Sequence, residues 1–402
     1  MQKIFIEKPY RFVPPMMSDW FAKLMNNWLI HTTLLRFTQS IVQIESHGVE
    51  LLKKSIDDGH AVMMIPNHPR ISDPLAMYNL IRHAKTPMFA MASWHLFNQS
   101  KLDTAIIRMY GGYSVNREGL DRESINFSIS SLQNNRRPLL VFPEGATSRT
   151  NDSMMPFLDG PTFIARTAAR RRKKEGLKTV IHPIVIRYLF IGDFEKELNR
   201  MMDPVEKQLN LPSGKSLEPV VRVRRSLDAI VAKREQEFGV DPDDSLSPFD
   251  RRHRLADSVM ATAEQRCFGE RSEKDFTNRI RDIRSLVFPE ILANKNQAEE
   301  KLSAEDVKIR WRDLERTYLA WQMTTYPEDY LAGSPSVDRV LEIAAKIFED
   351  LTHTPRKCSR QRVIIKCCEA IEVPPEKHRG PETDPLIPLV MNKLKTELEN
   401  LP

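Results

Sequence analysis

A histidine and a carboxylate lie five positions apart in one short segment: His68 is followed by Asp73. A carboxylate within hydrogen-bond reach fixes the tautomer of an imidazole and stabilises the imidazolium that forms when the ring accepts a proton. Residues at this spacing do not share a face of a regular helix, so the pairing requires the proline-containing loop between them. Asp73 followed by Pro74 is also typical of a helix N-terminus. The segment predicts either a general base with its partner or an ordinary helix start.

Two further segments place a charged side chain after a short apolar run. Arg117 follows a glycine turn, and its guanidinium can hold a phosphate through two parallel hydrogen bonds. Glu144 follows the run Pro138–Phe142 and precedes Gly145 and three residues with hydroxyl groups that can bind an anion or a ligand hydroxyl. Taken singly, the arginine is better explained as a surface side chain and the glutamate as a capping residue on a turn.

Short apolar runs alternate with longer segments of helical periodicity between about residues 49 and 190. The predicted strands are Ala61–Ile65, Pro87–Met91, Pro138–Phe142 and Val180–Ile186, and the predicted helices include Pro74–His83, Lys101–Arg108 and Asp121–Asn134. This alternation predicts an α/β fold with a mostly parallel sheet flanked by helices. Ligand groups in such sheets gather at the carboxyl ends of the strands, which is where His68 and Asp73 would lie.

The chain on either side of this region has helical patterns. Apolar pairs from Trp20 to Leu29 recur every four residues and predict an amphipathic helix, and the run 34–44 predicts a second one. This pair is equally consistent with an anchor on a membrane surface and with a stripe packed on the protein's own core. We predict three parts: amphipathic helices in 1–47, an α/β domain in 48–225, and a mainly helical region of unassigned role in 226–402.

The basic charge of the chain is concentrated in its first half. The 402 residues contain 60 Lys+Arg and 54 Asp+Glu, but residues 1–225 hold 32 basic and 21 acidic side chains, whereas 226–402 hold 28 and 33. A basic surface attracts the phosphates of lipid head groups, nucleotides or nucleic acid, and charge alone does not choose among them. The basic run Arg170–Lys174 fits either phosphate binding or a solvated helix end.

Composition also bears on location and on metal binding. The sequence has neither an apolar stretch of about 18 residues nor an apolar leader, so we expect a cytoplasmic protein that is at most attached to a membrane surface. The four cysteines are expected to be thiols, and with His353 they match no common zinc spacing, so no metal site is expected. They are Cys267, Cys358, Cys367 and Cys368.

Four blocks of sequence, in this order, resemble the glycerophospholipid acyltransferase superfamily, also called the lysophospholipid acyltransferases. The blocks are Asn67-His68-x4-Asp73, Gly111 to Arg117, Phe142-Pro143-Glu144-Gly145, and the strand Ile181–Ile186 with its proline. The resemblance covers roughly residues 45–190. It implies transfer of a fatty acyl group from acyl-CoA or acyl-carrier protein to the hydroxyl of a glycerolipid phosphate at a membrane surface.

The resemblance also implies roles for individual residues. His68 would deprotonate the acceptor hydroxyl, and Asp73 would orient the imidazole. The residues implied in binding the acceptor and its phosphate are Asn67, Arg117, Glu144, Gly145, Thr147, Ser148 and Arg149. Backbone N–H groups near the two loops would stabilise the oxyanion. Neither a covalent intermediate nor a cofactor besides the acyl donor is implied, because a thioester is already activated.

The third block departs from the Glu-Gly-Thr-Arg-Ser pattern of many members that act on glycerol phosphates. Here Gly145 is followed by Ala-Thr-Ser, and Arg149 comes one position after that serine. The first expected acceptor is lysophosphatidate (1-acylglycerol 3-phosphate), with glycerol 3-phosphate or another lysophospholipid as the alternative. A non-catalytic lipid- or protein-binding module on the same fold is the rival prediction. The expected partners are the acyl donor and an anionic membrane surface on the cytoplasmic side, and not nucleic acid.

Overall fold

The chain divides into two compact units. The computed structural model describes Lys8 and residues 10–20, 28–117, 121–295, 302–354, 358–378 and 383–401. One unit comprises Tyr10–Gly192 together with Ser359–Pro402, and the other contains Asp193–Cys358. This division differs from the predicted boundary near residue 225. The segment Ser359–Pro402 also belongs to the α/β unit, because it supplies a strand and a helix to that unit.

The strands of the described chain form a single eight-stranded sheet. In chain order they are β1 (Ile41–His47), β2 (Ala61–Pro66), β3 (Phe89–Ser93), β4 (Gly112–Val115), β5 (Leu139–Leu140), β6 (Thr179–Phe190), β7 (Gln361–Cys367) and β8 (Ile371–Glu372). Their order across the sheet is β1-β7-β6-β2-β5-β3-β4, and β8 pairs with β6. All pairs are parallel except those of β6 with β7 and β8. The predicted α/β fold with a mostly parallel sheet is confirmed.

Helices cover both faces of this sheet. They are α1 (Trp28–Gln39), α2 (Val49–Asp57), α3 (Asp73–Ala84), α4 (Lys101–Met109), α5 (Arg122–Gln133), α6 (Gly160–Lys173) and, near the C-terminus, α13 (Leu386–Glu399). In β2, Val62 and Met64 belong to a core cluster with α2 and α3. Ala61, Met63 and Ile65 belong to a second cluster with α5, α6 and α13. Burial on both faces explains why the sequence of β2 is a continuous apolar run.

Strand β7 lies inside the sheet although it comes from the C-terminal segment. It runs parallel to β1 on one side and antiparallel to β6 on the other. The region 226–402, predicted as mainly helical, therefore contributes an interior strand. Val363, Ile364 and Ile365 in this strand are buried. The run is short and its partners are distant in the chain, so the local pattern did not separate it from the helical surroundings.

The N-terminal region contains one strand where a helix was predicted. Helix α1 ends at Gln39, Ser40 has a φ of +58°, and β1 follows at once. The predicted second helix, which continued to Ile44, ends early because Ile41–His47 pair with β7. The predicted first helix lies mostly outside the described residues, and Trp20 at its start is 64% exposed. Within the described residues, no helix combines the length and apolar character needed to cross a membrane.

The described elements of the second unit are helices. They are α7 (Phe194–Gln208), α8 (Pro219–Phe238), α9 (Pro248–Phe268), α10 (Phe276–Lys295), α11 (Ala304–Thr324) and α12 (Val337–Thr352). Buried arginines connect neighbouring helices. Arg222 on α8 donates to Glu206 on α7 at 2.9 Å, and Arg279 on α10 donates to Glu264 on α9 at 2.7 Å. Each buried guanidinium thus meets a carboxylate, which offsets the cost of removing both charges from water.

Candidate active site

The histidine and the carboxylate of the first block meet in the structure. Strand β2 ends at Pro66, and the following loop brings Nδ1 of His68 to 2.7 Å from Oδ2 of Asp73. The Asp73 side chain is fully buried and that of His68 is 14% exposed. The imidazole stacks on Phe142 with ring centroids 3.9 Å apart. Because a carboxylate only accepts hydrogen bonds, Nδ1 carries the hydrogen, and Nε2 is the nitrogen that can accept a proton.

Asp73 satisfies both sequence interpretations at once. It is the first residue of α3, with Ser72 at the N-cap and Pro74 in the first turn. Its Oδ2 also accepts the backbone N–H of Arg70 at 2.9 Å. A negative charge at this end of a helix is favourable because the first N–H groups of the helix point towards it. The helix start therefore supports the same carboxylate that orients His68.

The carboxylate of Glu144 connects the loops that follow β2 and β5. Its Oε1 accepts the backbone N–H of His68 at 2.6 Å, and its Oε2 accepts that of Met155 at 2.7 Å. Burial raises the pKa of Glu144 to about 8, against the lowering effect of these two donors, and the Asp73 carboxylate adds a smaller rise. The side chain is 4% exposed. Glu144 therefore determines where the backbone of His68 lies.

Two asparagines attach the same loops to strand β6 where it continues past the end of β2. The Asn67 amide donates to the carbonyl of Ile186 at 2.9 Å and accepts its N–H at 2.7 Å. The Asn151 amide makes the same pair with Tyr188, at 2.7 and 3.0 Å. These side chains take the place of the backbone partners that β2 no longer supplies, because buried N–H and C=O groups need partners.

The glycine turn of the third block is held by Arg117 and by the loop of His68. The Arg117 guanidinium donates to the carbonyl of Gly145. The N–H of Ser148 donates to the carbonyl of His68 at 2.9 Å. Gly145 has a φ of +68°, and a Cβ at this position would lie 2.8 Å from the side chain of Leu158. Only glycine fits this turn without strain. The contacts of Arg117 and Ser148 bring the second and third blocks together beside the first.

The remaining predicted binding residues differ in what they can offer a ligand. Thr147 and Arg149 are half-buried in the same turn, and Arg149 has a φ of +64°. Ser148 is 5% exposed and its Oγ donates to the carbonyl of Thr150 at 2.9 Å. Asn67 is 1% exposed and bonded to β6. The structure thus uses Ser148 and Asn67 to hold the loops together, and our proposal for the acceptor does not include them.

Three residues that the sequence did not single out complete this arrangement: Tyr188, Asn151 and Met155. The Tyr188 hydroxyl donates to Oδ1 of Asp73 at 2.7 Å. The partners are 115 positions apart in the chain, and a tyrosine in a buried strand has no local feature that reveals such a contact. The backbone N–H groups of His68 and Met155 are both bonded to Glu144, which removes them from the candidates for stabilising an oxyanion.

The family comparison agrees with this geometry. The family model described as Acyltransferase matches residues 43–187, which include the predicted site residues. These residues belong to the acyltransferase family. The resemblance carried by the four blocks is thereby confirmed, and it supports acyl transfer as the activity of the chain. The search of curated proteins found no match. The matched segment ends one residue before Tyr188 and does not include β7 or α13.

The basic run at the end of α6 has a structural use in part. Arg172 is 2% exposed and donates to the carbonyls of Gly59, Gln133 and Lys178 at 2.7, 3.0 and 3.1 Å. A separate cavity of about 250 Å³ lies between one face of α6 and residues 375–378; Arg170 of the basic run lines it, and none of its lining residues belongs to the four sequence blocks. Among the described residues, no three His, Cys, Asp or Glu side chains are grouped to hold a metal ion.

Proposed function

We propose that this acyltransferase moves a fatty acyl group from acyl-CoA or acyl-carrier protein to the hydroxyl of a lysophospholipid. The first proposed acceptor is 1-acylglycerol 3-phosphate. The observation that carries the proposal is the 2.7 Å contact between His68 and a fully buried Asp73, with the imidazole partly exposed, inside the family segment. A neutral imidazole held in this way is suited to take a proton from an alcohol.

The reaction needs one proton carrier and no covalent enzyme intermediate. Nε2 of His68 accepts the proton of the acceptor hydroxyl while the oxygen attacks the thioester carbonyl, and Asp73 stabilises the imidazolium that results. Collapse of the tetrahedral intermediate breaks the carbon–sulfur bond. The imidazolium then returns the proton to the leaving thiolate, so that the products are the acylated lipid and the free thiol.

Arg117 and Arg149 are the proposed contacts of the acceptor phosphate. Arg117 reaches the turn that follows Glu144, and Arg149 belongs to the same turn. Guanidinium groups bind phosphate through paired, charge-assisted hydrogen bonds. The excess of basic over acidic residues in 1–225, 32 against 21, supports attachment to an anionic membrane surface on the cytoplasmic side.

The test follows acyl transfer by the purified full chain. Labelled acyl-CoA and acyl-carrier protein are each offered with lysophosphatidate, other lysophospholipids and glycerol 3-phosphate. We expect transfer to lysophosphatidate with the highest kcat/KM. His68→Gln should lower kcat by roughly 10²- to 10⁴-fold, whereas the matched control His83→Gln, at an exposed histidine on α3, should leave kcat unchanged.

Each other outcome has a definite meaning. Transfer only to glycerol 3-phosphate would replace the proposed acceptor. Transfer that survives His68→Gln would refute the role of the base. Absence of transfer from both donors to every acceptor, combined with liposome binding that survives His68→Gln, would favour the non-catalytic binding module.

A further inference from the structure

Tyr188 on β6 lies outside the family segment, and its hydroxyl contacts the carboxylate of Asp73, the proposed partner of the base His68. The ring is 1% exposed, and the hydroxyl donates to Oδ1 of Asp73 at 2.7 Å. The same hydroxyl lies 2.9 Å from Oγ of Ser72. Since a carboxylate cannot donate, the tyrosine proton points to Asp73, and the serine proton points to the tyrosine oxygen. The three groups form a directed chain from Ser72 through Tyr188 to Asp73.

This chain occupies the oxygen of Asp73 that does not face His68. Oδ2 takes Nδ1–H of His68 at 2.7 Å and the N–H of Arg70 at 2.9 Å, and Oδ1 takes the tyrosine hydroxyl. Asp73 is 0% exposed, so hydrogen bonds from the protein replace the solvation that the carboxylate loses. Donors on both oxygens fix the plane of the carboxylate and spread its negative charge.

The charged groups near this series of hydrogen bonds leave Tyr188 as a neutral donor. The guanidinium carbon of Arg70 lies 5.3 Å from the centre of the Tyr188 ring. Glu144, which accepts the backbone N–H of His68 on the other side of the loop, adds little negative charge at the pH values at which an imidazole titrates, because burial raises its pKa to about 8. Burial raises the pKa of Tyr188 well above its ordinary value and the Asp73 carboxylate raises it further, whereas Arg70 lowers it. Tyr188 therefore keeps its proton throughout the range in which an imidazole titrates.

We propose that Tyr188 is a positioning residue for acyl transfer, which acts on His68 through Asp73. It holds the carboxylate in the plane of the imidazole and withdraws part of the charge that would otherwise stabilise the imidazolium. The kinetic consequence rests on the proposed function, but the effect on the imidazole does not. Without the hydroxyl, Asp73 binds the imidazolium more strongly and is held less firmly in place.

The test replaces the hydroxyl and keeps the ring. Tyr188→Phe is expected to move the acidic limb of the kcat/KM profile to higher pH by on the order of half a unit to one unit, and to lower kcat roughly tenfold. The matched control is Tyr113→Phe, because Tyr113 is 0% exposed and its hydroxyl lies 2.6 Å from Oγ of Ser128. This control loses a comparable buried hydrogen bond and should not move the limb.

A second measurement needs no substrate. The titration of the His68 imidazole is followed by NMR in the full chain, with its signal assigned by its loss in His68→Gln. We expect the midpoint to rise in Tyr188→Phe and to stay constant in Tyr113→Phe. Ser72→Ala removes the donor to the tyrosine oxygen and should raise the same midpoint by a smaller amount. This variant replaces Tyr188→Phe in the test if Tyr188→Phe does not fold.

The two proposals fail separately. A wild-type chain without acyl transfer refutes the proposed function, and the NMR titration still decides the role of Tyr188. An imidazole titration that is the same in wild type, Tyr188→Phe and Ser72→Ala overturns the positioning role even in an active enzyme. The positioning role is also overturned if Tyr188→Phe and Tyr113→Phe lower kcat equally and neither moves the acidic limb of the kcat/KM profile. A loss of stability alone would then explain both variants.

Discussion

The change Glu144→Gln should loosen the loop of His68 without removing any group that touches substrate in our mechanism. The two carboxylate oxygens accept the N–H groups of His68 and Met155 at 2.6 and 2.7 Å. Glutamine has nearly the same shape but only one acceptor oxygen. One of the two backbone N–H groups must therefore face an NH₂ group, which cannot accept it.

The size of the effect follows from the burial of this contact. Leaving a buried donor unsatisfied costs about 1–3 kcal/mol, and Glu144 is 4% exposed. We expect the free energy of local opening to fall by this amount, which corresponds to roughly 5- to 150-fold faster amide exchange. The loss should be confined to the segments around His68 and Met155.

The pH dependence gives a second, independent expectation. Burial raises the pKa of Glu144 from 4.5 to about 8 in the folded state. Between these values the unfolded chain releases a proton that the folded chain retains, so the wild type loses stability as the pH rises from 4.5 towards 8. Glutamine does not titrate. The stability penalty of Glu144→Gln should therefore be largest near pH 5 and should shrink or reverse by pH 8.

The assay combines hydrogen exchange, read by mass spectrometry on peptides that contain His68 or Met155, with urea unfolding at several pH values. The exposed Glu50 supplies the matched control, because Glu50→Gln removes a carboxylate outside these loops. Unchanged exchange in both peptides would refute the connecting role of Glu144. A penalty that is constant or grows between pH 5 and 8 would show that the two backbone donors outweigh burial and keep the carboxylate ionised.

Three further predictions concern the scaffold of the α/β unit. Arg172→Met should lower the free energy of unfolding by about 1–3 kcal/mol, because three partly buried carbonyls lose their donor. The exposed neighbour Arg171→Met should change the free energy of unfolding by less than about 0.5 kcal/mol in urea unfolding. Burial lowers the pKa of His182 below 6.5, so acidification below that value protonates the unfolded chain first and destabilises the fold. The midpoint temperature of thermal unfolding should therefore depend less on pH, between about pH 7 and 5, in His182→Gln than in the wild type. Deletion of 359–402 should yield insoluble protein, since β7 lies between β1 and β6, and soluble protein with a native circular-dichroism spectrum would contradict this.

Local patterns were sufficient for the elements that depend on their own composition. The apolar run of β2 and the helix start at Asp73 lie within a residue or two of their predicted bounds. The pairing of His68 with Asp73 was also accessible, because a loop of six residues, 67–72, between a strand and a helix leaves few ways to place the two side chains. By contrast, the early end of α1 at Gln39 was missed, since only the pairing of β1 with β7 shows why the chain becomes extended there.

The roles of the binding residues required the tertiary structure. The resemblance implied that Asn67 and Glu144 both bind the acceptor. In the structure, the Asn67 amide bonds to the backbone of β6, and the Glu144 carboxylate connects two loops. A polar side chain in a motif satisfies whichever backbone groups the fold leaves unpaired nearby. Which groups are unpaired depends on where β2 ends relative to β6, and the motif itself does not contain that information.

The sequence by itself indicated the resemblance to the acyltransferase family, the α/β class and the pairing of His68 with Asp73, because these rest on residue types and spacings within short segments. Only the tertiary structure showed that β7 lies inside the sheet and that the Tyr188 hydroxyl donates to Asp73. Both depend on contacts between residues far apart in the chain, where the choice of neighbour is made by packing and by the need of every buried polar group for a partner.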